Sequence, residues 1–278
     1  MADAANCTHP LVDSMARARE LGEFFALPRR PREGKGWTGA RELFQGEDGR
    51  LESLVMTYGT RAWDTSNRHM AGSAFLVAYL SRVVFPLVGQ YVLAGRVPNI
   101  ALDNLSFHWN GPAIDATGLD RLAFATLPSD PMAAHPDALI VADADALYDR
   151  LKEWLFEENL QIVITCLRQS AGASVKVSWN AVAAAFSQAL NRLYAVSENR
   201  REVVEAAHVF LEDPSSPIYG QLTMEEFEHQ GRKGFYSRRR GCCLWWRSPR
   251  SNDYCSNCIL LPREQQDERF REMLAGVR

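Results

Sequence analysis

The sequence has no stretch of about 20 uncharged apolar residues, the length that a membrane-spanning helix needs. Its most apolar run, Ala74 to Gly95, is interrupted by Arg82, Pro86 and Gly89-Gln90, which points to a pair of buried helices. The first ten residues, Met-Ala-Asp-Ala-Ala-Asn-Cys-Thr-His-Pro, lack the basic start and apolar run of a signal peptide. The expectation is a cytoplasmic protein, with peripheral contact with a membrane left open. Net charge is also small. The 31 Lys and Arg nearly balance the 34 Asp and Glu, giving −3, so no global excess draws the chain to nucleic acid. Cysteine is scarce, with six in 278 residues, which rules out a disulfide scaffold. There is no internal repeat. His69, His108, His135, His208 and His229 show no His-x3-His spacing, so each reads as a surface or satisfied core residue. A G-x-G-x-x-G string occurs at Gly34-Lys-Gly36-Trp-Thr-Gly39, but Pro-Arg-Arg-Pro-Arg-Glu precedes it. A dinucleotide fingerprint must follow a strand, so this segment reads as a loop and no nicotinamide or flavin site is visible.

What is present supports a packed core. The chain is 46% hydrophobic and long enough for one large domain or two small ones. Helical periodicity runs from Ser14, read as an N-cap, to Leu27, and prolines 28 and 31 with Gly34 then break it. Glu42–Phe44 and Leu51–Trp63 read as short helices. Met70–Leu93 is the strongest helical stretch, and Pro86 is expected to kink or split it. Val97–Leu127 mixes apolar residues with turn formers, which suggests a small sheet ended by Pro128, Pro131 and Pro136. Asp143–Tyr194 is helical with a break at Gly172-Ala-Ser, and Glu198–Leu211 adds another helix. Asp213-Pro-Ser-Ser-Pro then reads as a linker. The expected architecture is mainly α: a helical domain over 1–213 with a small β element near 97–127, and a small metal-binding C-terminal segment over 214–278.

Four of the six cysteines fall within seventeen residues, as Cys242-Cys243-x11-Cys255-x2-Cys258, while Cys7 and Cys166 stand alone. Soft thiolates in this number suit zinc or an iron–sulfur centre and disfavour magnesium or calcium. A zinc ribbon uses two C-x2-C knuckles, and only Cys255–Cys258 has that form. Adjacent cysteines leave no residues to form the turn. A [2Fe–2S] cluster spreads four thiolates over two irons and tolerates unusual spacing better. Spacing thus favours the cluster and leaves structural zinc as the alternative.

At these residues the chain resembles the FhuF family of ferric siderophore reductases, whose hallmark is a C-terminal C-C-x10-C-x2-C motif. Here the gap is one residue longer. Arg240-Gly241 before the pair and the apolar residues after Cys258 are also similar. Upstream, Ser73, Tyr79, Arg82 and Pro86 resemble a family stretch of the form S-x5-Y-x2-R-x3-P. Ser178-Trp179-Asn180 resembles a helix shared with siderophore synthetases. The resemblance implies a [2Fe–2S] cluster on Cys242, Cys243, Cys255 and Cys258. It further implies one-electron reduction of ferric siderophores in the cytoplasm. The expected partners are a ferric siderophore, a separate electron donor and, peripherally, a membrane uptake system.

The surrounding residues suit that chemistry. No acidic residue occurs from His229 to Asn252, a stretch holding Arg232, Lys233, Arg238, Arg239, Arg240, Arg247 and Arg250. Cations there balance thiolate charge or steer an anionic chelate. Arg238, Arg239 and Arg240 are candidate substrate contacts, as are Trp245 and Trp246, whose alternative role is packing. Arg82, in an apolar helix, needs an internal partner or faces a ligand cleft. A non-catalytic accessory protein with a structural zinc on the four cysteines is the competing reading. A siderophore synthetase relative is a weaker third, since no nucleotide-phosphate loop is present.

Overall fold

A computed structural model describes residues 9–31, 35–46, 49–110 and 113–276. Along the chain run α1 (Pro10–Glu20), β1 (Trp37–Gly39), α2 (Ala40–Gln45), α3 (Arg50–Trp63) and α4 (Arg68–Ala94). Then come β2 (Arg96–Pro98), β3 (Leu105–Asn110), β4 (Ala113–Leu119), β5 (Phe124–Thr126) and β6 (Ala138–Ile140). Helices α5 (Ala144–Leu151), α6 (Gln161–Ala171), α7 (Val175–Val196) and α8 (Arg200–Leu211) follow, with the π-helical turns Lys152–Leu160 joining α5 to α6. A hairpin, β7 (Leu222–His229) and β8 (Arg232–Arg239), and a last helix, α9 (Arg263–Ala275), complete it. Helices take 55% of the chain and the sheets are small, so the fold is mainly α.

Local chemistry sets the boundaries. Helix α1 starts four residues before Ser14, because Pro10 presets the first turn and the His9 side chain accepts the Leu11 N–H at 3.1 Å. Ser14 is therefore not the cap. It is buried inside the helix and donates to the Pro10 carbonyl at 3.0 Å. Helix α4 is one continuous helix, not a pair, and runs through Pro86. Proline removes one N–H from the helical ladder, but residues 83–88 are all buried and their packing holds the turn. Among the described residues α4 is the one helix long and apolar enough to span a membrane, and 78% of its apolar window is buried in protein.

The expected sheet near 97–127 is two small sheets, ordered β1-β3-β4 and β2-β5-β6. Strand β6 lies beyond the prolines and pairs parallel to β5. Residues 37–39 of the glycine string are not loop: they form β1, antiparallel to β3, with Trp37 opposite His108. Gly34 lies outside the described residues, as does Cys7. Among the described residues no strand precedes the string at the position a dinucleotide fold requires.

The chain divides into two compact units, each discontinuous in sequence. The first comprises the residues up to Leu43 together with Phe85–Gln161, and holds both small sheets. The second comprises Phe44–Val84 and Ile162–Arg278. The boundary expected near residue 213 falls inside this second unit, where the C-terminal hairpin packs on α7. Tyr194 stacks on Phe235 at 5.3 Å, and Asn191 Nδ2 donates to the Phe235 carbonyl at 2.7 Å. The hairpin turns at Gln230-Gly231, both at positive φ (52° and 74°), a geometry that matches the strand twist. Gly234 leaves room for the Tyr236 ring, which stacks face to face on Phe270 at 4.4 Å and so fastens α9 to the hairpin.

Candidate metal centre

The two cysteine pairs are held from opposite directions within the second unit. Strand β8 ends beside Arg240, whose N–H donates to the Gln221 carbonyl at 2.8 Å. The chain then presses Gly241 against α7. A Cβ there would lie 1.8 Å from Asn180 Oδ1, so only glycine fits. Cys242-Cys243 follow at once. Leu244 adopts a left-handed φ of 69°, which costs a branched residue roughly 1–2 kcal/mol. Two contacts offset that strain. Its N–H donates to Cys242 Sγ at 3.2 Å, and its side chain is buried with Trp63, Met70 and Ala74. Ser248 Oγ donates to the Trp63 carbonyl at 2.6 Å and closes the loop onto α3.

The second pair sits in a tight turn, with the Cys258 N–H on the Cys255 carbonyl at 3.0 Å. Buried Gln266 of α9 donates to the carbonyls of Cys258 (3.1 Å) and Leu261 (3.0 Å). Asn257 Nδ2 reaches Ser237 Oγ of β8 at 2.8 Å, and Arg269 holds the Tyr254 carbonyl at 2.6 Å. Thus α7 and α3 fix one pair, and α9 and β8 fix the other.

The fit at Gly241 makes a direct prediction. Gly241→Ala should destabilise the protein by roughly 1–3 kcal/mol through overpacking and lower its metal content. Asn180→Ala alone should cost little, because Asn180 Oδ1 has no partner among the described residues and its Nδ2 only back-bonds to the Lys176 carbonyl. The double variant should regain the metal content that Gly241→Ala loses. Thermal midpoints and metal analysis of the three variants check this, and a double variant no better than Gly241→Ala would refute it.

All four cysteines line one small pocket with Arg239, Gly241, Trp246 and Ile259. Cys243 has its thiol pKa pulled down to about 5, by a hydrogen bond from Cys255 and by the nearby Arg239 guanidinium. Cys255 is pushed up in return by that hydrogen bond and by burial, and burial also raises Cys258. Arg239 Nη2 is buried and has no hydrogen-bond partner among the described residues, at a pocket that also feels the Arg239 charge. The guanidinium also hydrogen-bonds the Cys243 thiol, so its charge sits where thiolate charge would collect. The donor set therefore suits a thiolate-bound, negatively charged metal centre.

Among the described residues, the one group of three or more ligating side chains with all ligand atoms within 4.8 Å is His9, His135 and Asp137. The histidine group was invisible in sequence, since His9 is far from His135 in the chain. It satisfies itself: Nδ1 of His9 accepts from Leu11 N–H and Nδ1 of His135 from Asp137 N–H, each at 3.1 Å. Both rings then carry their proton on Nε2, and His9 gives its proton to Asp137 Oδ2 at 3.1 Å. No lone pair on Nε2 remains for a metal.

The residues expected as substrate contacts separate from one another. Arg238 is engaged by Glu225 and Asp267 and lies over Phe270 at 5.5 Å, so two carboxylates already neutralise it. Arg239 faces the cysteines. Arg240 is exposed and lines a groove of about 430 Å³ between α8 and β7, with Tyr219, Leu222 and Phe235 among its walls. Trp245 packs edge-on against Trp63 at 5.4 Å, a core contact. Trp246 is exposed at the cysteine pocket. Arg82 is half-buried on α4, where its charge opposes the upward shift that burial gives the Tyr58 phenol. Cys166 stands alone on α6, half-buried, with its thiol pKa raised by burial.

Residues 73–232, more than half of the chain, match the family described as ferric iron reductase FhuF-like transporter. The chain belongs to the FhuF-like family. The match ends before the cysteines, at the first residue of β8, so family membership rests on the residues from α4 to the hairpin turn. Among solved structures, the chain is similar to the aerobactin synthetase IucA of a hypervirulent Klebsiella pneumoniae pathotype. The ATP-bound form is 15% identical with a TM-score of 0.48, and a second structure is 14% identical with a TM-score of 0.46. Each alignment covers 66% of this chain but only 37% and 38% of the synthetase, so this chain spans well under half its length. No curated protein matches the chain significantly.

Proposed function

We propose that this FhuF-like protein is a ferric-siderophore reductase whose one-electron centre is a [2Fe–2S] cluster on Cys242, Cys243, Cys255 and Cys258. The observation that carries the reading is a pocket lined by four cysteines with a buried, unpartnered arginine nitrogen in its wall. Adjacent Cys242-Cys243 leaves no residues for a zinc knuckle, which favours a two-iron centre over a single zinc. When bound, the cluster supplies one electron at a time, enough to turn chelated Fe(III) into Fe(II), which hard anionic oxygen donors hold far less tightly. The protein's own groups set the conditions for this. Arg239 favours the more negative state, and the Leu244 N–H on Cys242 Sγ stabilises thiolate charge. No general base is required.

The groove beside Arg240 is the natural seat for the chelate. Arg240 lies two residues from Cys242, which limits their Cα separation to about 7 Å. Among the described residues it forms no ion pair; of the three carboxylates that line the groove, Glu225 is held by Arg238 and Arg263, Glu212 lies 2.9 Å from the His208 ring, and Glu226 accepts from the Tyr194 hydroxyl. Its guanidinium is available to chelate oxygens.

Metal analysis tests the reading. The purified protein should be reddish-brown, with two irons and two acid-labile sulfides per chain. A colourless protein with one zinc would instead support a non-catalytic accessory role. Arg240→Ala should raise KM for the ferric chelate several-fold with iron content unchanged. An unchanged KM would remove the groove from the reading.

A further inference from the structure

We infer that the surface over the cysteine pocket is the docking face for an acidic one-electron carrier protein. The inference rests on the reductase reading and names the partner it requires. Trp246 and Ile259 form pocket wall, and both reach solvent. Tyr254 lies against Trp246 with ring centroids 6.1 Å apart, and Leu260 follows Ile259 in the chain. These four large apolar side chains are between 38% and 48% exposed. Solitary exposed apolar residues are ordinary, but four gathered around one reactive pocket mark a contact surface.

Charge selects the occupant. Arg247 lies over the Trp246 ring at 5.2 Å, and Arg250 is exposed three residues on. Among the described residues neither forms an ion pair. Asp253, the acidic residue on the same loop, is held by Arg269 at 2.9 Å. The face is thus apolar at its centre and positive at its rim. An acidic partner would be steered to it and would bring its own redox centre to the wall of the cysteine pocket, which Trp246 and Ile259 form. A small chelate has no need of so wide a face, and the groove at Arg240 is its seat in the proposed function. In the reaction served, the reduced carrier loses one electron and chelated Fe(III) gains it, with no proton or group transferred.

The test is a binding measurement. The probe is a small acidic [2Fe–2S] ferredoxin, titrated calorimetrically into the metal-loaded protein at low and high salt. Binding should weaken as salt shortens the screening length. The double change Arg247→Glu with Arg250→Glu should weaken low-salt binding about tenfold or more. Leu260→Asp should weaken it at both salt concentrations, because that contact is apolar. A basic cytochrome c should not bind. Metal content and far-UV circular dichroism should be unchanged in every variant. The inference is overturned if the ferredoxin does not bind, or if it binds all variants equally. It is overturned as well if these changes abolish chelate binding and spare the carrier. A zinc-loaded protein would overturn the reductase reading, whereas an iron-loaded protein indifferent to this face would overturn only the docking.

Discussion

Cys243→Ser should yield a folded protein with almost no iron and no reduction of ferric chelates. Cys243 is the cysteine most tightly bound into the site. It accepts from Cys255 and feels the Arg239 guanidinium, and its pKa is lowered where those of Cys255 and Cys258 are raised. A depressed pKa marks the thiolate that the environment most stabilises, and the thiolate is the form that binds metal. A serine oxygen is harder and far less acidic, so it replaces neither charge nor softness. Changes to residues that merely support metal ligands already cost about 10–100-fold, and loss of a ligand should exceed that range. The helices should survive, because the unit's core is built from α3, α4, α7 and α8 and Cys243 is only half-buried. With the proposed [2Fe–2S] cluster as the wild-type content, the expected readings are unchanged helical circular dichroism, iron near zero and a lower thermal midpoint. Cys166→Ser, on α6 and apart from the pocket, should change none of these. If Cys243→Ser kept both its iron and its activity, Cys243 would not be a ligand.

The family membership, the helices and the cysteine cluster were legible in the sequence, each for a physical reason. Long apolar stretches with a 3.6-residue period must bury one face, and four thiols in seventeen residues have few uses other than metal. The hairpin was not legible. Its turn is Gln-Gly, not the more telling Asn-Gly, and Leu222–His229 carries three glutamates that hide its alternation. Helix α9 was missed because it is highly charged and buries only Gln266 and Phe270. Missing the hairpin had a consequence for the arginines. As a run of cations, Arg238, Arg239 and Arg240 looked equivalent. At the end of a strand, successive side chains point to opposite faces. Arg239 therefore turns to the cysteines, away from Arg238, which meets Glu225 and α9, while Arg240, just past the end of β8, opens onto the groove. The amides that position the site, Asn180, Asn257 and Gln266, come from separate elements and leave no local pattern to read.

The largest expected loss of stability lies in the first unit, at Asp130→Asn. Arg96 and Asp130 form a two-point ion pair, Nε to Oδ2 at 2.6 Å and Nη2 to Oδ1 at 2.8 Å, with side chains only 9% and 6% exposed. Every remaining polar atom is occupied. Arg96 Nη1 donates to the Pro10 carbonyl, Thr126 Oγ1 donates to Oδ2, and the Met132 N–H donates to Oδ1. The pair joins the start of α1 to β2 and to the turn after β5. Removing one charge strands the other, at a cost of about 3–5 kcal/mol. The Arg96 guanidinium also holds the Asp130 carboxyl well below the usual carboxylate range, and that fixes the pH dependence. With the folded pKa depressed, the unfolded chain binds the proton first as pH falls. The stabilisation is complete above the ordinary carboxylate pKa of about 4 and is lost as pH drops toward the folded value. The thermal midpoint of Asp130→Asn should therefore lie well below wild type at pH 7 and pH 5.5, and the gap should narrow below about pH 4. Replacing both partners with apolar residues, Arg96→Met with Asp130→Leu, should recover much of the loss, because neither charge is then stranded. A pH-independent gap would show that the ion pair contributes through packing alone, and a double variant no better than the single would show that its hydrogen bonds outweigh its charges.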